Sequence, residues 1–362
     1  MIRYGSLRNM NLNDLVNNAS EWLRGMGPNS DVVISSRIRL ARNLEKVVFS
    51  HRANKKQAEQ TLKILEQAVS RVDYLKKSMS FHLRDLDSID RQFLVERHLM
   101  SLEFAKASNS KTIVIDERET IAIMINEEDH LRIQVMQSGF NLFEAFNIIS
   151  QIDEVLAKQV NYAFSPEWGY LTACPTNIGT GMRGSVMLHL PALVMSRQIN
   201  RVLSAVAKLS FTSRGLYGEG TQASGNFFQI SNQISLGHGE EEILQNLNGL
   251  IRQLIDQEHQ AREALLAQNR SLLEDRIWRS YGILKSAHII NSQETIELLS
   301  MVRLGLDIGT IKDINRGTVN ELFIITQPAH LQKIEGRKLN SQERDLKRAE
   351  ILREKITKLE KK

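Results

Sequence analysis

The spacing of hydrophobic and polar positions changes near residue 240, and the change divides the chain into two kinds of structure. Upstream, stretches of helical period such as "KQAEQTLKILEQAV" alternate with short apolar runs. Two of these runs, "KTIVID" and "TIAIMIN", are joined by the turn-like "ERE" and predict a hairpin. "SVMLHLPAL" reads as a strand ended by Pro191, because a helix would not take proline so early. Downstream of Gly239, "EEILQNLNGLIRQLIDQEHQAREALLAQN" places Ile243, Leu247, Leu250, Leu254 and Leu265 near one helical face, so a long helix begins there. More helices follow, with Asn291/Glu294 and Thr318/Glu321 as expected capping boxes and Ser341 as the expected cap of the charged last helix. The C-terminal third is therefore expected to be all-helical.

Composition narrows the class. A chain of 362 residues with 42% hydrophobic content can bury a full core, and its length suggests two domains. No run approaches the roughly 18 apolar residues of a membrane span, and "MIRYGSLRNMNLNDL" lacks a signal-peptide core, so a cytoplasmic location is expected. One cysteine, Cys174, cannot form an internal disulfide and fits a reducing compartment. A net charge of +5 suits anionic ligands without demanding nucleic acid.

Four stretches carry candidate chemistry. In "SSRIRLARN", Arg37 and Arg39 alternate with Ile38 and Leu40, so in a strand both guanidinium groups share a face and could fork onto phosphate oxygens. A plain amphipathic edge strand would look the same. "NEEDHLR" crowds Glu127, Glu128 and Asp129 at a strand end, beside His130 and Arg132. This suits a cationic or proton-donating ligand, or else an exposed acidic turn. "CPTNIGTGMRG" spaces Gly179, Gly181 and Gly184 like a dinucleotide-binding turn, but the buried strand before it and the helix after it are missing, so that reading fails. What remains is a loop whose glycines could bring backbone N–H groups close to an anion. From Gly169 to Gly218 there is no Asp or Glu, yet Arg183, Arg197, Arg201, Lys208 and Arg214 lie there, which predicts a positive basin. The stretch ends in "RGLYGEGTQASGN", either a mobile lid carrying Glu219 or an ordinary surface loop.

In this order the four motifs resemble those of the ATP:guanido phosphotransferases, the phosphagen kinases, over roughly residues 20 to 235. Within that family the chain is most similar to the bacterial protein-arginine kinases. The segment before Arg37 is too short for the closing domain of the small-molecule kinases, and "RDLKRA" in the last helix resembles a phosphoarginine-binding motif. The resemblance implies an α+β fold. A catalytic domain over 1–260, with an antiparallel sheet flanked by helices, precedes a helical dimerisation and phosphoarginine-binding domain over 261–362. It implies transfer of the ATP γ-phosphoryl group to protein arginines, with Glu128 as base, Glu219 as second carboxylate and Cys174 against the substrate guanidinium. Glu127 and Asn177 are implied in substrate binding. Arg37, Arg39, Arg132, Arg183 and Arg214 are implied as the ATP phosphate clamp, and Arg344, Asp345 and Arg348 as a regulatory phosphoarginine site.

His98 is a candidate adenine contact, because Met187 stands where small-molecule relatives carry a histidine; a buried structural histidine is the alternative. Magnesium is expected on the ATP phosphates, with no metal site made by the protein itself. Expected partners are substrate proteins with exposed arginines (unfolded proteins, a stress-gene repressor), an activator protein, a Clp ATPase and a second copy of the chain; neither membrane nor nucleic acid is expected. Two other readings are a small-molecule guanidino kinase and a non-catalytic phosphoarginine- or nucleotide-binding module.

Overall fold

A computed structural model describes residues 12–16, 18, 20–106, 109–215 and 224–357. Among the described residues ten strands run in chain order: β1 Val33–Arg42, β2 Ser78–His82, β3 Thr112–Asp116, β4 Ile121–Ile125, β5 Leu131–Ser138, β6 Phe164–Ser165, β7 Gly169–Tyr170, β8 Met182–His189, β9 Phe211–Arg214 and β10 Phe227–Asn232. The helices are α1 Leu12–Val16, α2 Lys55–Val69, α3 Ser88–Glu96, α4 Leu102–Lys106, α5 Leu142–Ala157, α6 Pro191–Met195 and α7 Ile199–Lys208. After these come α8 Glu240–Ser286, α9 Ser292–Asp307, α10 Arg316–Ile325, α11 Pro328–Glu335 and α12 Ser341–Thr357.

Eight strands form one antiparallel sheet in the order β2-β3-β4-β5-β1-β8-β10-β9, and β6 and β7 form a separate small hairpin. This is the expected α+β architecture, including the β3–β4 hairpin and the helical C-terminal third. In the centre of the sheet alternation sorts the two faces. Ile38, Leu40, Ile133, Val135, Val186, Leu188 and Ile230 enter a core closed by α5 and the first half of α8. Each such side chain, fully buried, contributes roughly 1.5–3 kcal/mol. The opposite face carries Arg37, Arg39, Arg132, Arg183 and Arg214.

The long helix α8 spans 47 residues and kinks at Asn269, whose φ of −144° leaves the helical range. Its first half packs in the sheet core and its second half, through Leu273, Ile277, Tyr281 and Leu284, in a core shared with α9 to α12. None of the described helices is long and apolar enough to cross a membrane. The helical part is tied to the sheet part by buried polar contacts. Arg303 of α9 donates to the Ser30 and Asp31 carbonyls and to His189 Nδ1. Glu96 of α3 accepts from the Ala329 and His330 amides at the start of α11.

Two expected caps lie elsewhere. Asn291 does accept from the Glu294 amide (2.9 Å), but the cap of α10 is Asn315, which accepts from Thr318 N at 2.8 Å. In α12 the cap is Asn340 rather than Ser341: Asn340 Oδ1 accepts from Glu343 N at 2.9 Å and Glu343 Oε2 accepts from Asn340 N at 2.8 Å. In both cases an asparagine upstream of the hydroxyl residue takes the open amide, and the hydroxyl residue falls inside the helix.

Candidate functional site

Strand register brings the five arginines together. Arg39 of β1 stands opposite Arg183 of β8 on one side and Gln134 of β5 on the other. Arg132 lies two residues before Gln134, and Arg214 of β9 faces Gln229 of β10. They line one cavity of about 960 Å³ together with Glu127, Glu128, Cys174, Asn177 and His98. Every described residue expected in catalysis, substrate binding or ATP binding is thus in a single cavity. Glu219 lies outside the described residues.

The clamp is held from beneath by short polar side chains. Arg37 Nη2 donates to Gln229 Oε1 at 2.8 Å, and Arg183 donates to Ser231 Oγ at 3.1 Å and Thr212 Oγ1 at 3.3 Å. Arg39 differs, because its Nε and Nη2 are buried without a hydrogen-bond partner. Burial, followed by the charges of Arg132, Arg183 and Arg214, pushes the Arg37 guanidinium down to about 9, and burial with Arg37 pushes Arg39 well below its ordinary value. A guanidinium stays protonated in proteins, so the depression expresses the cost of burying these charges together with their mutual repulsion, and a polyanion would relieve both.

The acidic turn separates into a scaffold and a working part. Asn126 takes a left-handed φ of 60° and its side-chain Nδ2 donates to the Ala58 and Ser110 carbonyls. Asp129 accepts from Asn43 Nδ2 (2.6 Å) and Ala173 N (2.7 Å), which ties the turn to the segment leading to Cys174. His130 Nδ1 accepts from Leu44 N and Nε2 donates to Val48 O, which fixes the neutral tautomer; burial lowers its pKa. Asp129 borders the cavity with Glu127 and Glu128, but its carboxylate is engaged in structural bonds.

Glu127 accepts from Ser101 Oγ (2.7 Å), Arg132 Nη1 (2.8 Å) and the Glu128 amide (2.9 Å). Burial raises the Glu127 carboxyl, but Arg132 and these bonds outweigh it and hold it below its ordinary value. Glu128 is exposed to the cavity and its pKa is raised, by partial burial and then by Asp129 and Glu127.

The segment 174–179 is anchored by Ser235 Oγ, which donates to the Thr176 and Ile178 carbonyls, and Cys174 Sγ lies 3.0 Å from Thr176 Oγ1. Two of its three glycines, Gly179 and Gly184, spend their amides inside the protein, and only Gly181 lines the cavity. Gly179, at φ 110°, uses its amide on Tyr170 O and has room only for hydrogen, since a Cβ would stand 2.7 Å from Ser235 O. Gly181 packs on Ala41 and Arg42, while the Gly184 amide donates to Asn232 Oδ1 and its missing side chain admits Leu247. Close chain packing, rather than phosphate approach, demands glycine here. The positive basin is also smaller than the acid-free stretch implied. Arg197, Arg201 and Lys208 are exposed around α7 and do not line the cavity.

His98 sits just beyond α3 at φ 59° rather than within a helix. It packs edge-on against Trp22 at 5.5 Å and is held neutral, with burial and then Arg37 pushing it down to about 3. A small cavity that adjoins it is lined by Trp22, Met136 and Met187. Gln229, Ser231 and Ser101 were not anticipated. The first two were legible as polar residues at alternate positions of "FFQISN"; Ser101 carried no signal.

In α12 the two arginines of the expected phosphoarginine site are engaged within the fold. Arg348 is buried and donates to Thr326 O (2.9 Å), Ile290 O (2.8 Å) and Asp345 Oδ1 (2.5 Å), while Arg344 donates to Leu339 O (3.1 Å). The i,i+4 spacing places both on one side, but the α8–α9 connection at Ile290 and the end of α10 at Thr326 approach that side, and Arg348 is buried against their carbonyls.

Comparison with known proteins places this geometry. Residues 60–261 match the model of the ATP:guanido phosphotransferase C-terminal catalytic domain, and residues 270–362 match the protein-arginine kinase McsB C-terminal domain. The chain is 47% identical over 348 residues to a protein-arginine kinase of Halothermothrix orenii, covering 96% of this chain and 99% of that one. It is 44% identical over 350 residues to one of Bacillus subtilis, covering 96% of each. Among solved structures, lombricine kinase superposes with a TM-score of 0.58 at 28% identity, covering 68% of this chain and 71% of that one. The duplicated taurocyamine kinase of Schistosoma mansoni superposes with a TM-score of 0.59 at 26% identity over 64% of this chain, which spans only 33% of that longer one. The chain belongs to the ATP:guanido phosphotransferase family, in its protein-arginine kinase branch.

Proposed function

We propose that the chain is an ATP-dependent protein-arginine kinase that forms an N–P bond between a protein arginine and the γ-phosphorus while the bond from that phosphorus to the ADP oxygen breaks. The observation that carries the reading is the single cavity in which five guanidinium groups meet a proton-accepting carboxylate and the lone thiol. The unpartnered, buried donors of Arg39 fit a polyphosphate ligand. A guanidinium is a poor nucleophile, so Glu128 takes its proton as the bond forms; the raised pKa makes that carboxylate a better base. Cys174 and Asn177 contact the acceptor guanidinium, and Glu219 supplies a second carboxylate. Glu127, with both oxygens engaged, serves the acceptor by fixing Arg132 and the Glu128 backbone. Arg37, Arg39, Arg132, Arg183 and Arg214 hold the phosphates in line, and His98, neutral, borders the nucleotide.

ATP brings the transferable group, and magnesium carried on its phosphates adds charge neutralisation; the described residues include no group of three His, Cys, Asp or Glu placed to hold a metal themselves. In the helical part, Arg344, Asp345 and Arg348 form a regulatory phosphoarginine site that opens by exchanging the Asp345–Arg348 bond for the ligand. This part, from about residue 261, also pairs two copies of the chain. The setting is the bacterial cytoplasm, with unfolded proteins and a stress-gene repressor as substrates, an activator protein, and a Clp ATPase receiving the marked proteins. The test is incubation with ATP, magnesium and either free arginine or an arginine-rich unfolded protein, followed by mass spectrometry without acid, since the P–N bond is acid-labile. Phosphoarginine in the protein is expected; phosphorylation of free arginine alone would assign a small-molecule kinase.

A further inference from the structure

Beside the cavity, on the side of Cys174 and Asn177, lies a surface that the phosphoryl-transfer chemistry does not use. The β6–β7 hairpin exposes Phe164 (57%) and Trp168 (48%), and the chain after β10 exposes Ile234 (47%) and Leu236 (38%). The two segments adjoin through the backbone. Tyr170 N donates to Gly179 O at 2.8 Å, and a Cβ on Gly179 would touch both Ser235 O and Leu236 Cα, so Gly179 is sandwiched between the hairpin and 235–236. Gly179 is two residues past Asn177, which lines the cavity, and Gln233 lines it directly before Ile234.

The hairpin is a fixed platform rather than a flap. The Arg42 guanidinium lies 3.6 Å from the Tyr170 ring centroid and is itself held by Asp153, and Phe164 packs edge-on against Tyr170 at 5.3 Å. Carboxylates border the apolar residues: Glu167 is exposed at the hairpin tip, and the acidic start of α8 adjoins through Glu240, 4.0 Å from Arg42, with Glu241 exposed beside it. An exposed apolar patch with a polar rim marks an interaction surface. This rim is negative where the cavity interior is positive, so it complements a cationic chain approaching from outside rather than a nucleotide.

We infer that this surface docks the polypeptide on either side of the target arginine: an extended, unfolded segment with a large apolar residue close to the arginine and few acidic neighbours. The inference rests on the reading that the acceptor is an arginine within a protein chain. Apolar side chains of the segment cover Phe164, Trp168, Ile234 and Leu236, while Glu167 and Glu241 favour basic neighbours and disfavour acidic ones. In folded substrates such apolar residues are buried, so the patch selects arginines that unfolding has exposed.

The test compares two peptides of equal net charge, each with one central arginine, flanked in one by phenylalanine and leucine and in the other by glycine and serine. The expected kcat/KM of the wild type favours the apolar peptide by about tenfold, the effect of burying one large side chain. In a Phe164→Ser, Trp168→Ser variant the ratio should fall close to one; a smaller folded fraction scales both rates equally, so the ratio reads the surface and not the folding. No preference in the wild type, or a preference retained by the variant, would overturn the inference. Phosphorylation of neither peptide by the wild type would instead sink the protein-acceptor reading, and the docking surface with it. A Glu167→Lys, Glu241→Lys variant should in addition lose the wild type's preference for lysine over glutamate flanks; an unchanged preference would remove the carboxylates from the surface.

Discussion

Replacing Arg39 by methionine should stabilise the folded protein while weakening its hold on ATP. In the cluster Arg39 faces Arg183 across the β1–β8 ladder, lies two residues from Arg37, and has two buried nitrogens without an acceptor. Each unsatisfied buried donor costs about 1–3 kcal/mol, and like charges repel further in a partly desolvated site. Methionine keeps much of the stem's packing and removes the charge, so a gain of roughly 2 kcal/mol is expected after partial offset from lost side-chain contacts. For a chain of 362 residues that corresponds to a melting temperature higher by about 2–4 °C.

The same change removes a charge-assisted contact to phosphate, worth about 1.5–3 kcal/mol, so the Kd for ATP should rise roughly 10- to 150-fold. Differential scanning calorimetry without nucleotide and titration calorimetry with magnesium and a non-hydrolysable ATP analogue measure the two effects. Stabilisation by saturating nucleotide should shrink in the variant, because that increment follows the ratio of ligand concentration to Kd. A lower melting temperature together with unchanged nucleotide affinity would refute the argument that Arg39 is held in reserve for an anion.

Glu128→Ala should lower kcat by about 10²- to 10⁴-fold with ATP affinity largely retained, and turnover near that of the wild type would remove the base from this residue. Because the Glu128 pKa is raised and the base must be ionised, wild-type activity should fall as the pH drops through a value above that of an unperturbed glutamate; an acid limb at or below the unperturbed value contradicts the environment described. Gly179→Ala forces a Cβ to 2.7 Å from Ser235 O at a φ of 110° and should cost about 1–3 kcal/mol, visible as a lower urea midpoint. Arg348→Met strands the Thr326 and Ile290 carbonyls and the Asp345 carboxylate, and should cost about 3–5 kcal/mol in unfolding free energy, whereas a surface ion pair would cost under about 1 kcal/mol. Calorimetry with phosphoarginine on an Arg344→Ala, Asp345→Ala variant in a Glu128→Ala background should show lost binding; equal binding places that ligand elsewhere.

Local pattern determined a good part of this molecule. The alternation in "SSRIRLARN" is sufficient to put Arg37 and Arg39 on one face and Ile38 and Leu40 on the other, because a strand has a period of two wherever it is placed. The apolar stripe after Gly239 is sufficient for a helix, and the order of four short motifs is sufficient for the family.

What lay beyond the sequence depends on which strands become neighbours. Nothing local states that β1 sits between β5 and β8, and only that order sets Arg39 against Arg183 and turns separate arginines into one cavity. Nothing local distinguishes Glu128 from Asp129 either. Their roles part because Asn43 and the Ala173 amide, distant in the chain, reach Asp129 and leave Glu128 facing the cavity. The three glycines have the spacing of a phosphate-binding turn, yet packing against Ser235, Ala41 and Leu247 accounts for them. Arg348 shows the same limit: helical spacing fixes its angle around α12, and whether that angle faces water or a buried carbonyl is decided by the elements packed against it. Periodicity is a property of the chain alone, whereas burial and partnership belong to pairs of segments that meet only once the tertiary fold exists.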